Sequence, residues 1–486
     1  MVKSAIITAG ALVLVTLLCL LMLPLLLNSD SLKQRLQAST ANDLGLDLEI
    51  GGRIRMGLFP GLHITVSDMR FDRQGKLVAS LGQVQFGLDI QPLLHREVRI
   101  NSVVLQDPVI LLERYEDGSY NFDKPDPRVA LELEQVQVVN GIFHYQDARL
   151  DTIYEARACN LDLQASSPLT RDSGNHLADL DLAADFACTE VRRDTLTLTE
   201  LNTAVMAQAG LVQFQLTSMQ LLGAQGTGHL QVDFNGAVPA YQLSYVLPQF
   251  RSDELFLLLT RKSPSGIALA DGAPVAGTGV EVSRVEGLMD LSATLTMQGQ
   301  NLPEMKQTLA GAFALRGSNL VINGADLDAR LARFEDSQNF NLVDVGAFML
   351  AGPLGLVLTK GYDFANIFLE TGSRTEIRKV ISDWELEAGI AQVKSAIMET
   401  NENRIAIKGG LDIPGEKFEE LRIALLDDLG CARVEQSITG TFQAPVINQP
   451  NVFWSLTGPI RSLLERLVPE QECEVFYADP SASQAR

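Results

Sequence analysis

The chain has 486 residues, with 39 Lys and Arg against 60 Asp and Glu, for a formal net charge of −21. Neutralising phosphates or adhering to anionic lipid needs clusters of basic side chains, so this balance argues against nucleic acid and against charge-driven membrane adhesion. Apolar residues at 46% and charged residues at 20% describe an ordinary folding chain, long enough to bury a substantial interior. The histidines, His63, His95, His144, His176 and His229, lie more than 30 residues apart. No pair has metal-ligand spacing, and neither a metal nor another cofactor is expected.

From Ala5 to Leu27 there is no charged residue. As a helix this run spans roughly 34 Å, enough to cross a hydrocarbon core. The alternative is a cleaved signal peptide, but Leu25-Leu26-Leu27-Asn28-Ser29 after Pro24 has no small-residue cleavage pattern. The expectation is a retained transmembrane anchor over 1–29. Lys3 on one side and Lys33 and Arg35 on the other leave the orientation open. Cys19 falls in the run, and Cys159, Cys188, Cys431 and Cys473 remain, with no C-x-x-C spacing. Such dispersed cysteines suit two structural disulfides in an oxidising compartment, with free buried thiols as the alternative. Anchor and cysteines together predict an inner-membrane, single-pass chain whose body lies in the periplasm.

Period-2 patterning dominates the body. It runs through Leu62-His63-Ile64-Thr65-Val66, then resumes at Met69 and Phe71 after a one-residue slip that predicts a bulge. It recurs at Val84–Ile90, Val136–Val138, Leu161–Leu163, Val212–Leu216, Leu230–Phe234, Leu291–Met297, Ile405–Ile407 and Leu411–Ile413. Glu116-Asp117-Gly118-Ser119, Asn140-Gly141 and Asn323-Gly324 read as turns. Gly226-Thr227-Gly228 and Gly277-Thr278-Gly279 also read as turns. The pattern predicts a mainly β chain of half-buried antiparallel strands. Their apolar faces either pack on each other in a closed core or line an open groove, and periodicity does not separate the two. Helical spacing appears at Glu254–Arg261, at Ile377, Val380, Ile381 and Trp384, and at Ile460, Leu463, Leu464 and Leu467. Residues 262–279 read as a linker.

No motif assembles a catalytic site. There is no GxSxG elbow, phosphate-binding loop or HExxH helix, and no nucleophile stands beside a base. The expectation is a non-enzymatic protein. Asp147, in His144-Tyr145-Gln146-Asp147, reads as a turn cap in preference to an acid–base group.

Ordered motifs then give a resemblance. They begin with Leu58-Phe59-Pro60-Gly61-Leu62, Val66-Ser67-Asp68-Met69-Arg70-Phe71 and Val84-x-Phe86-x-Leu88-Asp89-Ile90-x-Pro92-Leu93-Leu94. Arg114-x-x-Asp117-Gly118-x-x-Asn121-Phe122 and Val139-Asn140-Gly141-Ile142-Phe143 follow. The C-terminal half adds Val321-x-x-Gly324-x-Asp326-Leu327, Asp383-Trp384-x-Leu386 and Cys473-Glu474-Val475-Phe476-Tyr477. This set resembles the AsmA family of inner-membrane-anchored periplasmic proteins, although about residues 165–285 match little.

The resemblance implies an N-terminal transmembrane helix and an elongated, curved antiparallel β-sheet with repeating β-grooves. It divides the chain into an N-terminal chorein-like β-groove domain over 30–240, a helix and linker over 241–285, and a C-terminal β domain with a capping helix over 286–486. It implies phospholipids as partners, transport between the inner and outer membranes, and a part in outer-membrane biogenesis. Envelope assembly proteins are possible partners, and a scaffold with a closed core is the alternative role. Under this reading Ile64, Val66, Val84, Phe86, Leu88, Val212, Phe214 and Leu216 face the groove. Cross-links Cys159/Cys188 and Cys431/Cys473 would pin sheet edges.

Overall fold

The computed structural model describes residues 33–34, 37–38, 40, 45–59, 61–95, 99–121, 133–149, 152–169, 180–193, 196–255, 284–324, 326–329, 331, 374–448 and 475–478. The apolar run of residues 5–27, the linker of 262–279 and the helical pattern at Ile460–Leu467 lie outside them. So do Cys473 and Gly277-Thr278-Gly279. No described helix is long and apolar enough to cross a membrane. The chain divides into two compact units, residues 1–219 and 220–486.

Unit 1 is built from β1 (Asp47–Ile50), β2 (Ile54–Gly57), β3 (His63–Arg73), β4 (Lys76–Leu88), β5 (Ile100–Arg114), β6 (Leu133–Asp147), β7 (Thr152–Leu169), β8 (Leu182–Arg193) and β9 (Leu196–Gln208), with β10 (Leu211–Leu221) at its boundary. The short helix α1 (Ile90–Leu94) joins β4 to β5. β1 and β2 lie end to end against β3, and from there each strand pairs with the next in sequence up to β9 and β10.

All of these pairs are antiparallel except β5 with β6, which run parallel. The sheet is thus antiparallel as expected apart from this one pair, which follows the segment Arg114–Asn121. Gly118, at φ +87°, turns the chain, and the Asp117 carboxylate accepts from the Ser119 amide (2.8 Å) and hydroxyl (2.6 Å). Asn121, which is buried, then lies back along β5. Its side chain donates to Leu111 O at 2.7 Å and accepts from the Glu113 amide at 3.0 Å, while its own amide donates to Glu113 O. The chain thereby makes a short antiparallel return along the end of β5, with Tyr120 bridging Arg114, and β6 then runs parallel to β5.

A second feature shapes every strand from β3 to β9. Apolar residues on one face alternate, then skip one residue: Val66 to Met69, Val84 to Leu81, Leu105 to Pro108, Val138 to Gly141, Cys159 to Ala156, Cys188 to Val191 and Leu201 to Leu198. The skips line up from β3 to β6 and again from β7 to β9, with a stagger of one residue pair between β6 and β7, and are marked by left-handed backbone at Asp68, Asp107, Asn140, Ala158 and Glu200. The bulge expected between Val66 and Met69 is therefore one member of a row. Asn140-Gly141, expected as a turn, instead lies inside β6. Asn tolerates φ +56° there, and its carboxamide donates to Asp107 Oδ1 at 2.6 Å while its amide donates to Asn160 Oδ1 at 3.0 Å.

Unit 2 contains β11 (Ala224–Asp233), β12 (Ala240–Arg251), β13 (Arg284–Glu286), β14 (Leu288–Gln298), β15 (Ala310–Asn323), β16 (Arg374–Glu387), β17 (Ile390–Thr400), β18 (Arg404–Asp412), β19 (Lys417–Leu426), β20 (Ala432–Gly440) and β21 (Pro445–Ile447). The helix α2 (Leu302–Thr308) joins β14 to β15. Pairing is antiparallel throughout, in the order β11, β12, β14, β15 and on to β21, with β13 extending the β14 edge along β15.

Several expectations are corrected here. Ile377, Val380, Ile381 and Trp384 belong to β16, not to a helix. A register shift between Ile377 and Lys379 adds one residue, so Ile377 and Val380 face the same core at a spacing of three, which imitates helical periodicity. Gly226 and Gly228 lie within β11, not in a turn, because the Tyr245 ring of β12 occupies the space their Cβ atoms would need. The Tyr245 hydroxyl is buried and has no hydrogen-bond partner among the described residues, and burial pushes its pKa up to about 12. Residues 241–251, expected in a helix and linker, belong to β12, and of the helix expected at Glu254–Arg261 only Glu254 and Leu255 are described, at the end of a helical turn over 252–255.

Unit 2 has a filled core. Phe250, Leu320, Ile377, Met398, Ile405, Ile423 and their neighbours are fully enclosed. The turn at 327–331 covers part of it with Leu327 and Leu331. That turn is held by Leu327 N donating to Thr375 Oγ1 (2.8 Å) and by Asp328 accepting from Thr400 and Asn403. The central strands are buried on both faces. Ile397, Ala406, Ala424 and Leu426 form a back cluster under Phe476 and Tyr477, whose amides both donate to Gly430 O.

Replacing Asn121 with Ala leaves Leu111 O and the Glu113 amide without their partner, at an expected cost of about 1–3 kcal/mol. Urea unfolding of the variant reads that loss directly. An unchanged midpoint means that Asn121 does not hold the crossover.

Candidate functional site

The exact registers of unit 1 assemble its alternating side chains into rows that cross the sheet. One row runs Ile64, Phe86, Val103, Val136, Leu163, Ala184 and Val205, each directly opposite the next. The adjacent row runs Val66, Val84, Leu105, Val138, Leu161, Phe186 and Thr203. Beyond the skipped residues a third row continues on the same face through Phe71, Ala79, Ile110, Phe143, Ala156, Val191 and Leu198. The two-residue turn Ala209–Gly210, with φ of +49° and +76°, has the backbone of a tight hairpin. Counting back from it puts Phe214 opposite Val205 and Leu216 opposite Thr203. At about 4.8 Å per strand, seven strands give a face some 30 Å wide.

All eight expected groove residues lie on this apolar face, but in two different states. Val66 and Val84, only 1% and 3% exposed, are consumed in a small core with Leu48, Ile50 and Met69. Leu88 and Val212 are buried in the outermost row. Ile64, Phe86, Phe214 and Leu216 are half-buried, as are Val103, Leu105, Val136, Leu161, Leu163, Phe186 and Val205. The latter set was not singled out from the sequence, although the same alternation marks it. What was missing was register, which tells that these residues extend the rows begun by Phe86 and Val84. The opposite face is polar, with Gln83, Gln85, Gln106, Gln137, Asp162 and Asp185 at the intervening positions. A concavity of about 370 Å³ lies mainly on that polar side, with Asn160, Asp162, Asp185, Asn202 and Thr217 in its lining.

A disulfide stiffens the apolar face. Cys159 and Cys188, directly opposed on β7 and β8, form a disulfide on this face beside Leu161 and Phe186. Cys431 in unit 2 is also disulfide-bonded.

At the rim beyond the third row, Asp147 is buried. Its Oδ2 accepts from the Tyr145 hydroxyl at 3.0 Å and Arg114 at 3.3 Å, and its Oδ1 accepts from the Arg149 amide at 3.0 Å. It is therefore both the turn cap expected and the anchor of an ion pair. Arg114 also stacks over Tyr120, joining this rim to the Arg114–Asn121 turn. Burial pushes the Asp147 carboxyl up, but the bonds from Tyr145, the Arg149 amide and Arg114 outweigh it and hold the carboxyl below the usual carboxylate range. Burial, followed by the neighbouring Asp147, pushes the Tyr145 hydroxyl up.

With a folded pKa below its unfolded value, Asp147 stabilises the fold above the ordinary carboxylate pKa, and that contribution is lost as the pH falls through the folded value. Unit 1 is therefore expected to weaken below about pH 4. In Asp147→Asn this part of the acid limb should flatten when unfolding midpoints are followed against pH. Replacing Cys159 and Cys188 with Ala opens a loop of 29 residues. By chain entropy this costs about 3–4 kcal/mol, and oxidised and double-variant proteins compared in urea would show it.

The AsmA family model matches residues 1–168. No curated protein and no solved structure matches the chain.

Proposed function

We propose, from the premise that this chain belongs to the AsmA family through residues 1–168, that unit 1 shields phospholipid acyl chains on its apolar face. The chain is read as anchored in the inner membrane with its body in the periplasm. Its role is to support lipid movement toward the outer membrane and outer-membrane biogenesis, without catalysis. The observation that carries this reading is the pair of register-matched rows most of whose members, past the small core at β1–β4, are half-buried, Val138 and Ala184 being buried. A one-sided sheet leaves its apolar face to be covered by something. Each CH₂ removed from water contributes roughly 0.8 kcal/mol, so acyl chains laid on this face gain burial while head groups stay wet. Leu, Val and Ala rows with few hydrogen-bonding groups hold a chain without fixing its position, which suits sliding.

The filled core of unit 2 favours a second role for that unit. With Leu320, Ile377 and Ile405 fully enclosed, it has the character of a scaffold that engages envelope assembly proteins through its surface.

The test is lipid extraction and mass spectrometry on the body from Asn28 onward, purified without detergent. The reading expects near-stoichiometric phospholipid, lost in Phe86→Asp and Leu161→Asp variants that keep their β-sheet circular dichroism. A folded body with no lipid would sink the groove and leave the scaffold role.

A further inference from the structure

The apolar face of unit 1 ends differently at its two margins. Beyond Ile64 and Phe86 it closes with Leu88, Ala165, Leu182, Ala207 and Val212, aliphatic side chains without hydrogen-bonding groups. Beyond the third row, at the other margin, Leu112, Tyr145, Tyr154, Arg193 and Leu196 continue the face, each directly opposite the next. The rings of Tyr145 and Tyr154 have centroids 5.9 Å apart, and the Arg193 guanidinium lies 5.2 Å from the Tyr154 ring centre. Two residues further out, Arg114 stands opposite Asp147. Arg114 is 30% exposed and Asp147 only 2%, so this ion pair turns its guanidinium outward. The ion-paired Arg157, Glu155 and Arg192 occupy intervening positions and so belong to the polar face.

Each group at this margin suits the boundary between hydrocarbon and phosphate. Tyrosine has an apolar ring and a wet hydroxyl, which is why it collects at such boundaries. Arginine sets a planar fork of donors against phosphate oxygens. Here each fork rests on a ring, Arg193 on Tyr154 and Arg114 on Tyr120, which narrows its freedom before any ligand arrives. The chain carries a net charge of −21, yet it brings guanidinium groups to this edge of its apolar face. The dimensions agree as well. An acyl chain fills about half a hydrocarbon core, roughly 15 Å. Along β7 the level of Cys159 and Cys188 is five residues from Tyr154, about 16 Å of strand.

We propose that this margin binds the phosphate of the lipids carried, with Arg193 and Arg114 as charged donors and Tyr145 and Tyr154 lining the passage from acyl chain to headgroup. The inference rests on the reading of this face as an acyl-chain surface. It adds a direction, with headgroups at the arginine margin and acyl ends pointing toward Leu161 and Phe186.

The full chain in dodecyl maltoside micelles is loaded with photoreactive phosphatidylethanolamine, carrying its diazirine either on the headgroup amine or at the acyl terminus. After irradiation, adducts are mapped by peptide mass spectrometry. The proposal expects headgroup adducts on the peptides of Tyr145, Tyr154 and Arg193, and acyl-end adducts near Leu161 and Phe186. In Arg193→Gln the headgroup adducts should fall roughly ten-fold while the acyl-end adducts persist. Headgroup adducts that survive in Arg193→Gln, or that gather at Leu182 and Ala207 instead, overturn the margin and leave the acyl-chain surface standing. If excess inorganic phosphate removes the headgroup adducts and leaves the acyl-end adducts, free phosphate is the ligand of this margin and the lipid assignment falls. No adduct of either probe on the apolar face removes the acyl-chain reading, and this inference with it.

Discussion

Unit 1 depends on one backbone constraint, the alignment of its left-handed residues. A strand that skips one residue in its alternation turns every later side chain to the other face unless its neighbours skip at the same level. In unit 1 they do from β3 to β6 and from β7 to β9, and between β6 and β7 the two skips are staggered by one pair, so the apolar face stays apolar on both sides of the interruption at the cost of register shifts in that one ladder. Asp68, Asp107 and Asn140 carry part of this because Asp and Asn accept positive φ, and the Asn140–Asp107 and Asn140–Asn160 hydrogen bonds tie three strands together at that level. Each skip also bends its strand, as bulges do. Gln249, Asn319 and Glu420 repeat the left-handed conformation in strands of unit 2.

The two units use the same strand chemistry for different ends. In unit 2 the central strands are buried on both faces, one side in the main core and the other beneath Phe476 and Tyr477, with Tyr477 held to Ser395 at 3.0 Å. Unit 1 past β4 keeps a polar face of Gln, Asn and Asp against an apolar face that protein covers only in part. Where β1 and β2 extend the sheet beside β3, the same rows join a small core with Leu48, Ile50 and Met69. Among the described residues, an enclosed core and a partly covered apolar face therefore both occur.

The parallel β5–β6 pair shows how a few polar residues redirect a topology. After Arg114 the chain returns for two residues along β5, Tyr120 bridging Arg114 and Asn121 bonding to Leu111 and Glu113. β6 then re-enters at the opposite end, and the rows of β4 and β5 continue into β6 with matched register. Arg114 serves both sides of this junction, through Tyr120 in the turn and Asp147 at the end of β6. A motif read in the sequence as a turn thus acts as a switch in strand direction.

The sequence alone determined the strand chemistry, because side-chain alternation is local and needs no partner to be read. The mainly β fold, the slip at Met69, the apolar parity of the eight groove residues and the capping role of Asp147 were all legible there. The AsmA resemblance was legible in the order of its motifs. What the sequence misread came from non-local geometry. The skip in β16 imitated a helix at Ile377 and Val380, Asn140-Gly141 imitated a turn, and Gly226 and Gly228 were glycines for the sake of Tyr245, a residue on the next strand. Tertiary structure alone decided that Phe86, Val103, Val136 and Leu163 form one row, that β5 and β6 run parallel, and that Val66 and Val84 are core while Phe86 is not. Register and coverage are relations between strands, and periodicity within one strand carries no record of which neighbour lies opposite or whether anything lies above.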